Sequence, residues 1–148
     1  MNDVAETLRQ IIVGRDFEPV ERIVIKDAMR AVTRAPLCPY SIAENVAHAN
    51  FWQQTWLAKL KGEPSIRVGP EGSWPQVSAE EWPSVRQEFL DGFGEAYEIA
   101  RAEPFVHSMR TEEAALKVLS QIACHNAYHL GQVALLKRQS WEMIKARG

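Results

Sequence analysis

The last long apolar run of the chain contains His125-Asn126-Ala127-Tyr128-His129-Leu130-Gly131-Gln132. Because a helix advances by about 100° per residue, histidines four residues apart lie one turn apart on the same face. The other residues of that face are Val118, Gln121, Ile122, Gln132 and Leu136. We therefore expect His125 and His129 to point into a helical core, which is unusual for a residue type that is only moderately buried on average.

The N-terminal part of the chain predicts a helical arm with a break near Gly14. Apolar residues recur at helical spacing over residues 4–13, and Gly14 is a suitable stop. Pro19 then opens a second run of helical spacing that continues to Val32. The connector over residues 35–40 contains two prolines, which cannot continue a helix.

A second helix is predicted from the capping box of Ser41 and Glu44, in which each side chain binds the other residue's backbone amide. It runs to about Leu60, and Gly62 closes it. Residues 61–77 are rich in glycine, proline and serine, so we expect a long loop of the length that often borders a site.

A third helix is predicted over residues 82–100 by a stripe of aromatic and small residues at helical spacing. Ser78 and Glu81 offer another capping box just before it. Because Pro83 would then fall inside the helix, either a short turn precedes the helix or Pro83 lies near its first position.

The last helix is predicted to begin at the cap Thr111 and to run to about Gln139 or beyond. Three glycines fall inside the predicted helices. Gly92 and Gly94 each weaken the third helix by about 1 kcal/mol relative to alanine, so we expect a packing reason for both. Gly131 is expected to permit close packing of the last helix.

Four amphipathic helices without strand-like alternation predict an all-α four-helix bundle with a long loop after the second helix. The 148 residues are enough for one domain with a sizeable core and too few for two. We therefore treat residues 1–148 as a single domain.

Composition argues against several classes of partner. The net charge of −2 gives no general attraction to nucleic acid or to an anionic membrane. No apolar run approaches the ~20 residues of a membrane span, and the N-terminus lacks the pattern of a signal peptide. Cys38 and Cys124 have no metal-type spacing, so we expect a reduced, cytoplasmic protein.

Three histidines could meet in such a bundle, because its ligand sites are built from inward side chains on facing helices. His48 lies on a mixed face of the second helix, and with His125 and His129 it would give a three-nitrogen site with an open position. Glu44 could be a fourth ligand, although its capping role explains it without a metal. For the loop residue His107, a local hydrogen bond is the simpler interpretation.

Two familiar metal sites are excluded by their spacing. A zincin-type protease needs a glutamate directly after the first histidine, and Asn126 stands there. A ferritin-like di-iron site needs Glu-x-x-His on paired helices, and the sequence contains no such spacing.

The residues around these histidines resemble those of the DinB/YfiT-like superfamily. The resemblance rests on Pro39-Tyr40-Ser41-Ile42, Asn45-Val46-Ala47-His48 and Phe51-Trp52, and still more on residues 125–132 followed by Leu135, Leu136 and Arg138. The order of elements, the loop after the second helix and the length also agree. The resemblance therefore covers nearly the whole chain.

What the resemblance implies is a four-helix bundle, often a homodimer, with a divalent metal held by His48, His125 and His129. Nickel or zinc is the typical metal. Some members are transferases that use low-molecular-weight thiols such as bacillithiol, others are isomerases that use mycothiol, and many have no established activity. Three hypotheses follow: a metal-dependent thiol-S-transferase or hydrolase, a metal- or ligand-binding module without turnover, and an interaction bundle whose histidines are core residues.

For the enzyme, the resemblance implies that the metal lowers the pKa of a bound water or thiol, which could then hydrolyse or attack a small electrophilic substrate. We expect Tyr128 to pack on or orient a ligand imidazole, and Gln132 to bond the substrate or a supporting group. Further candidates for a pocket are Trp52, Trp56, Trp74 and His107. Core packing is the simpler role for the first two tryptophans.

Overall fold

The computed structural model describes residues 2–147, without the side chains of Ile144 and Arg147. Its helices are α1 (Asp3–Val13), α2 (Val20–Ile23), α3 (Ala28–Val32), α4 (Ile42–Lys61), α5 (Trp82–Arg101) and α6 (Glu112–Arg147). No strand occurs within residues 2–147, so the predicted all-α class is confirmed. The predicted long loop separates α4 from α5.

The four long helices surround one hydrophobic core. Helix α4 packs against both α5 and α6, and α1 contacts the same two helices. The largest wholly buried apolar side chains come from all four: Leu8, Leu57, Leu60, Trp82, Phe89, Phe93, Leu119 and Ile122. This packing brings the inward faces of α4 and α6 together, and both faces carry histidines.

Helix α1 is fixed at both ends by the residues beside it. Asn2 accepts the amide of Ala5 at 2.8 Å and donates to the carbonyl of Ala100, at the end of α5, at 2.8 Å. Gly14 has a φ of +73°, and a Cβ there would lie 2.4 Å from the nitrogen of Pro19. The turn therefore requires glycine, and the predicted break near Gly14 is confirmed.

The starts of α4 and α6 follow their predicted caps. The Ser41 hydroxyl accepts the amide of Glu44 at 3.1 Å, and the Glu44 carboxylate accepts the amide of Ser41 at 3.1 Å. The hydroxyl of Thr111 accepts the amide of Ala114 at 3.0 Å. These bonds satisfy amides that a helix start otherwise leaves without a partner.

A short capped turn precedes α5, as one of the two predicted alternatives requires. Ser78 and Glu81 exchange reciprocal bonds of 3.1 and 3.2 Å. Pro83 is then the second residue of α5, a position where its missing amide hydrogen costs nothing. Both alternatives are therefore correct, because a short turn precedes the helix and Pro83 lies near its first position.

The continuous helical run predicted over residues 20–32 is wrong, because the chain forms α2 and α3 with an irregular link between them. Two side chains of α5 bind the carbonyls of this link. Arg86 donates to Val24 at 2.7 Å, and Trp82 donates to Ile25 at 3.1 Å. Because Val24 and Ile25 are also buried, long-range contacts outweigh the local helical preference.

Helices α4 and α5 approach closely at Gly92. The wholly buried Gln53 donates to a carbonyl of α5 at 3.0 Å and accepts from Asn126 of α6 at 2.7 Å. A Cβ at position 92 would lie 2.5 Å from Nε2 of Gln53, which confirms a packing reason for this glycine. At Gly94 and Gly131 an added Cβ would meet nothing within 4 Å, so the packing roles predicted for them are wrong.

The two glycines of α5 provide a matched pair of variants. Gly92→Ala should lower the free energy of unfolding by about 1–3 kcal/mol, because the methyl displaces Gln53 from its buried bonds. Gly94→Ala should raise it by up to about 1 kcal/mol through helix propensity alone. Urea unfolding measures both values, and equal effects of the two substitutions would contradict the close approach.

Candidate metal centre

Three histidine side chains meet between α4 and α6. His48 lies near the start of α4, and His125 and His129 lie one turn apart on α6. Each offers a ring nitrogen, and these nitrogens all lie within 4.8 Å of one another. Because zinc–nitrogen bonds measure about 2.0–2.1 Å, two ligands of one ion lie at most about 4.2 Å apart. The three nitrogens therefore lie close enough that small side-chain rotations could bring them onto one ion.

His48 is oriented by the loop between α4 and α5. Its Nδ1 lies 2.7 Å from the backbone carbonyl of Ser73. A carbonyl can only accept, so Nδ1 carries the hydrogen and Nε2 keeps the lone pair that a metal needs. Trp74 stacks on the same ring with centroids 3.8 Å apart, and Tyr40 stacks on the other face of Trp74 at 3.7 Å.

His129 is oriented by Asn45, which precedes His48 by almost one turn of α4. The Asn45 amide group donates to the carbonyl of Ser41 at 3.0 Å, so its oxygen faces Nδ1 of His129 at 3.3 Å. Nδ1 of His129 therefore donates, and Nε2 again keeps its lone pair. Hydrogen-bond acceptors of this kind fix the tautomer and direction of metal-binding histidines in many sites.

His125 has a different environment. Its Nδ1 is buried and has no hydrogen-bond partner among the described residues. The ring meets Trp56 edge to face, with centroids 5.3 Å apart. A buried nitrogen without a partner is costly in a site made only of protein atoms, so a ligand that engages this ring fits the arrangement.

Burial keeps the three imidazoles neutral. It is the main cause that lowers the pKa of His48, His129 and His125, and the two neighbouring histidines contribute to the value of about 4 at His125. Metal ligation requires this neutral form. Glu44 stays in the capping box and is not part of the cluster, which confirms its predicted capping role.

The sequence that forms these elements matches a known family. A sequence model of the DinB superfamily covers residues 30–133, from α3 to the part of α6 that carries both histidines. The chain belongs to the DinB superfamily. Comparisons with curated proteins and with solved structures gave no significant match. Within residues 2–147 of this DinB protein, none of the helices combines the length and the apolar character that a membrane span needs.

The other candidate residues lie at different distances from the cluster. Tyr128 meets His129 edge to face at 5.1 Å and is 64% exposed, so it borders the centre as a packing neighbour. Gln132 lines a cleft next to His129. Trp52 packs on Trp56 rather than on a histidine.

His107 lies outside the cluster and accepts the amide of Met109 at 3.1 Å, which confirms the local bond that is its simpler interpretation. That bond accounts for His107 without a role in the pocket. The prediction that Gln121 faces inward is wrong, because Gln121 is exposed although α6 otherwise turns the predicted face inward.

Sequence reasoning missed three groups that support the centre in this DinB protein. Asn45 shares a helical face with His48, and that spacing was the available signal for its role. Tyr40 belongs to the family pattern, but the sequence carries no signal that it stacks on Trp74. Ser73 acts through its backbone carbonyl, for which the sequence carries no signal.

Removing one imidazole should abolish stoichiometric metal binding. We expect about one nickel or zinc ion per chain in the wild type and none in His125→Ala or His129→Ala, because two imidazoles hold a divalent ion weakly. His107→Ala is the matched control and should keep its metal. Mass spectrometry of tag-free protein measures the content, and retained metal in both cluster variants would exclude the site.

Asn45 should control metal affinity without being a ligand. Asn45→Ala should weaken binding by about 10-fold or more, because His129 loses the acceptor that fixes its tautomer. Thr55→Ala, which removes a hydroxyl bonded only to a carbonyl of its own helix, is the control. Competition with a chelator of known affinity gives both constants. Equal affinities would show that Asn45 does not orient the ring.

Proposed function

We propose that this DinB protein binds one divalent metal ion, nickel or zinc, through His48, His125 and His129, and transfers a low-molecular-weight thiol to, or hydrolyses, a small electrophilic substrate. The observation that carries the proposal is the convergence of three neutral imidazoles beside an open cleft. Membership of the DinB superfamily supports it, because the resemblance implies the same three ligands.

The number of ligands favours a reactive site over a structural one. Structural zinc sites are closed by four protein ligands, whereas catalytic sites use three and leave a position for water or substrate. Within the described residues, the cluster contains three histidines and no cysteine or carboxylate. Cys124 is exposed on α6 and stands outside it.

A cleft gives a substrate access to the centre. It has a volume of about 330 Å³, and His129, Asn45 and Gln132 are among its lining residues. This volume lies at the small end of the range of about 300–1,000 Å³ that is usual for ligand pockets. A small molecule in the cleft would therefore contact one of the proposed ligands directly.

Each residue near the proposed metal would have its own role. When bound, the metal would lower the pKa of a thiol or a water in the open position. Ser73 and Asn45 hold the His48 and His129 rings in the tautomer that presents a lone pair. Trp74 covers one face of His48 and so limits the access of water from that side. Gln132 can donate to, or accept from, a polar group of the substrate.

Binding without turnover is the second candidate function. The observation in its favour is that, among the described residues that line the cleft, none is a carboxylate that could serve as a general base. The same three histidines would then hold a metal as a sensor or carrier. Both candidate functions are compatible with the homodimer that the family resemblance implies.

Turnover of an epoxide distinguishes the two candidates. Nickel- or zinc-loaded protein incubated with styrene oxide and bacillithiol should form the thioether: a carbon–sulfur bond forms as one carbon–oxygen bond of the epoxide breaks, and the thiol proton passes to the released oxygen. Without thiol, the product should be the diol. His125→Ala should react no faster than the buffer blank, and His107→Ala should react like the wild type. Full metal content with no product from epoxides, activated halides or esters would favour binding alone.

A further inference from the structure

The cleft beside His129 is built mainly from apolar and aromatic side chains. Tyr40 and Trp74 form one wall, and Tyr128, Leu135 and Leu136 of α6 form the other. Leu135 is 58% exposed and Tyr128 is 64% exposed. Large side chains that stay exposed beside a buried polar cluster are a usual sign of a ligand surface.

The cleft also lacks formal charge. Among the described residues that line it there is no lysine, arginine, aspartate or glutamate. Arg138 and Glu142 line a separate shallow depression that shares Leu135 and Gln139 with the cleft. These two charges of α6, one of each sign, stand outside the lining, as does Arg34, which donates to the carbonyl of the lining residue Pro39 at 3.3 Å.

The polar side chains of the cleft carry no formal charge. They include the amides of Asn45, Gln132 and Gln139, the hydroxyls of Tyr40 and Tyr128 and the thiol of Cys38, and the amide of Asn45 is already engaged. Asn45 uses its nitrogen on Ser41 and its oxygen on His129. The side-chain oxygen of Gln139 accepts a hydrogen bond from the thiol of Cys38 at 3.6 Å, and this contact does not use the amide nitrogen of Gln139. The side chains of the cleft can thus offer hydrogen bonds to a neutral polar group, but none of them offers a cation to a carboxylate or phosphate.

We propose that this cleft selects an uncharged, largely apolar small molecule, and that the electrophilic substrate belongs to this class. A carboxylate or phosphate would lose water there without gaining a partner ion from the lining side chains, which is unfavourable. A thiol cosubstrate that carries carboxylates would keep its charged end outside the cleft. The identification of the bound molecule as substrate rests on the proposed function, whereas the selectivity of the cleft does not.

Two probes of the same shape test the selectivity. Binding of 4-fluorobenzyl alcohol and of 4-fluorobenzoate is followed by fluorine NMR, in metal-loaded wild type and in His125→Ala. The second protein lacks a proposed ligand that does not line the cleft, so the carboxylate cannot gain from a metal. In His125→Ala, where the side chains of the cleft act without a metal, the alcohol should bind about tenfold more tightly than the benzoate. In that variant, equal or tighter binding of benzoate, or no binding of the alcohol, would overturn the proposal, and the metal-loaded wild type shows how much the ion adds to benzoate binding.

A charge added to the wall should change the preference. Leu135→Arg should strengthen benzoate binding by about fivefold or more and leave the alcohol nearly unchanged, because it supplies the missing cation. Val106→Arg adds the same charge at an exposed apolar residue outside the lining and should change neither probe. If Leu135→Arg instead breaks a dimer, as light scattering would show, a second copy covers the cleft and the proposal is wrong.

The outcomes separate this inference from the proposed function. If the wild-type protein binds the alcohol selectively but binds no stoichiometric metal, the proposed function is contradicted and the selectivity of the cleft is still supported. The opposite result has two parts: the protein binds stoichiometric metal, and it turns over a styrene oxide with a carboxylate on its ring faster than styrene oxide itself. This result would support the proposed function and overturn the selectivity of the cleft.

Discussion

Three uncharged imidazole rings are enclosed between two helices, and each ring hydrogen that faces protein needs an acceptor there. This requirement links parts of the chain that are far apart in sequence. His48 finds its acceptor in the loop between α4 and α5, and His129 finds it in Asn45. Because Asn45 is held by the carbonyl of Ser41, the capped start of α4 and the proposed ligand belong to one chain of hydrogen bonds.

A second buried polar contact fixes the rotation of α6 about its axis. Asn126 follows His125 and points about 100° away from it, where it donates to Gln53 of α4. Gln53 in turn donates to the backbone of α5. If α6 turned to withdraw its histidines, this bond would break inside the core, which is expensive. The direction of the imidazoles is thus enforced by their neighbour on the same helix.

Most of the fold could be predicted because its signals are local. The spacing of apolar residues and the caps Ser41 and Thr111 act within one or two turns, and the pair His125 and His129 is visible in the sequence for the same reason. The break between α2 and α3 could not be predicted, since it depends on Arg86, more than sixty residues away, binding the carbonyl of Val24.

The same distinction applies within the candidate site. The three histidines could be predicted from helical spacing and family resemblance, whereas the shape of the cleft depends on how Trp74 stacks between Tyr40 and His48. Gly92 and Gly94 have equal propensity, and only the position of Gln53 and Gln54 on the facing helix gives Gly92 a packing role that Gly94 lacks.

The acceptor of His48 is a main-chain atom, and this has an evolutionary consequence. Every amino acid brings a carbonyl to position 73, so substitutions at Ser73 leave the hydrogen bond available. Insertions or deletions in the loop between α4 and α5 would instead move that carbonyl away from the ring and carry Trp74 with it. In descendants of this gene, loop length should be under stronger selection than the identity of residue 73.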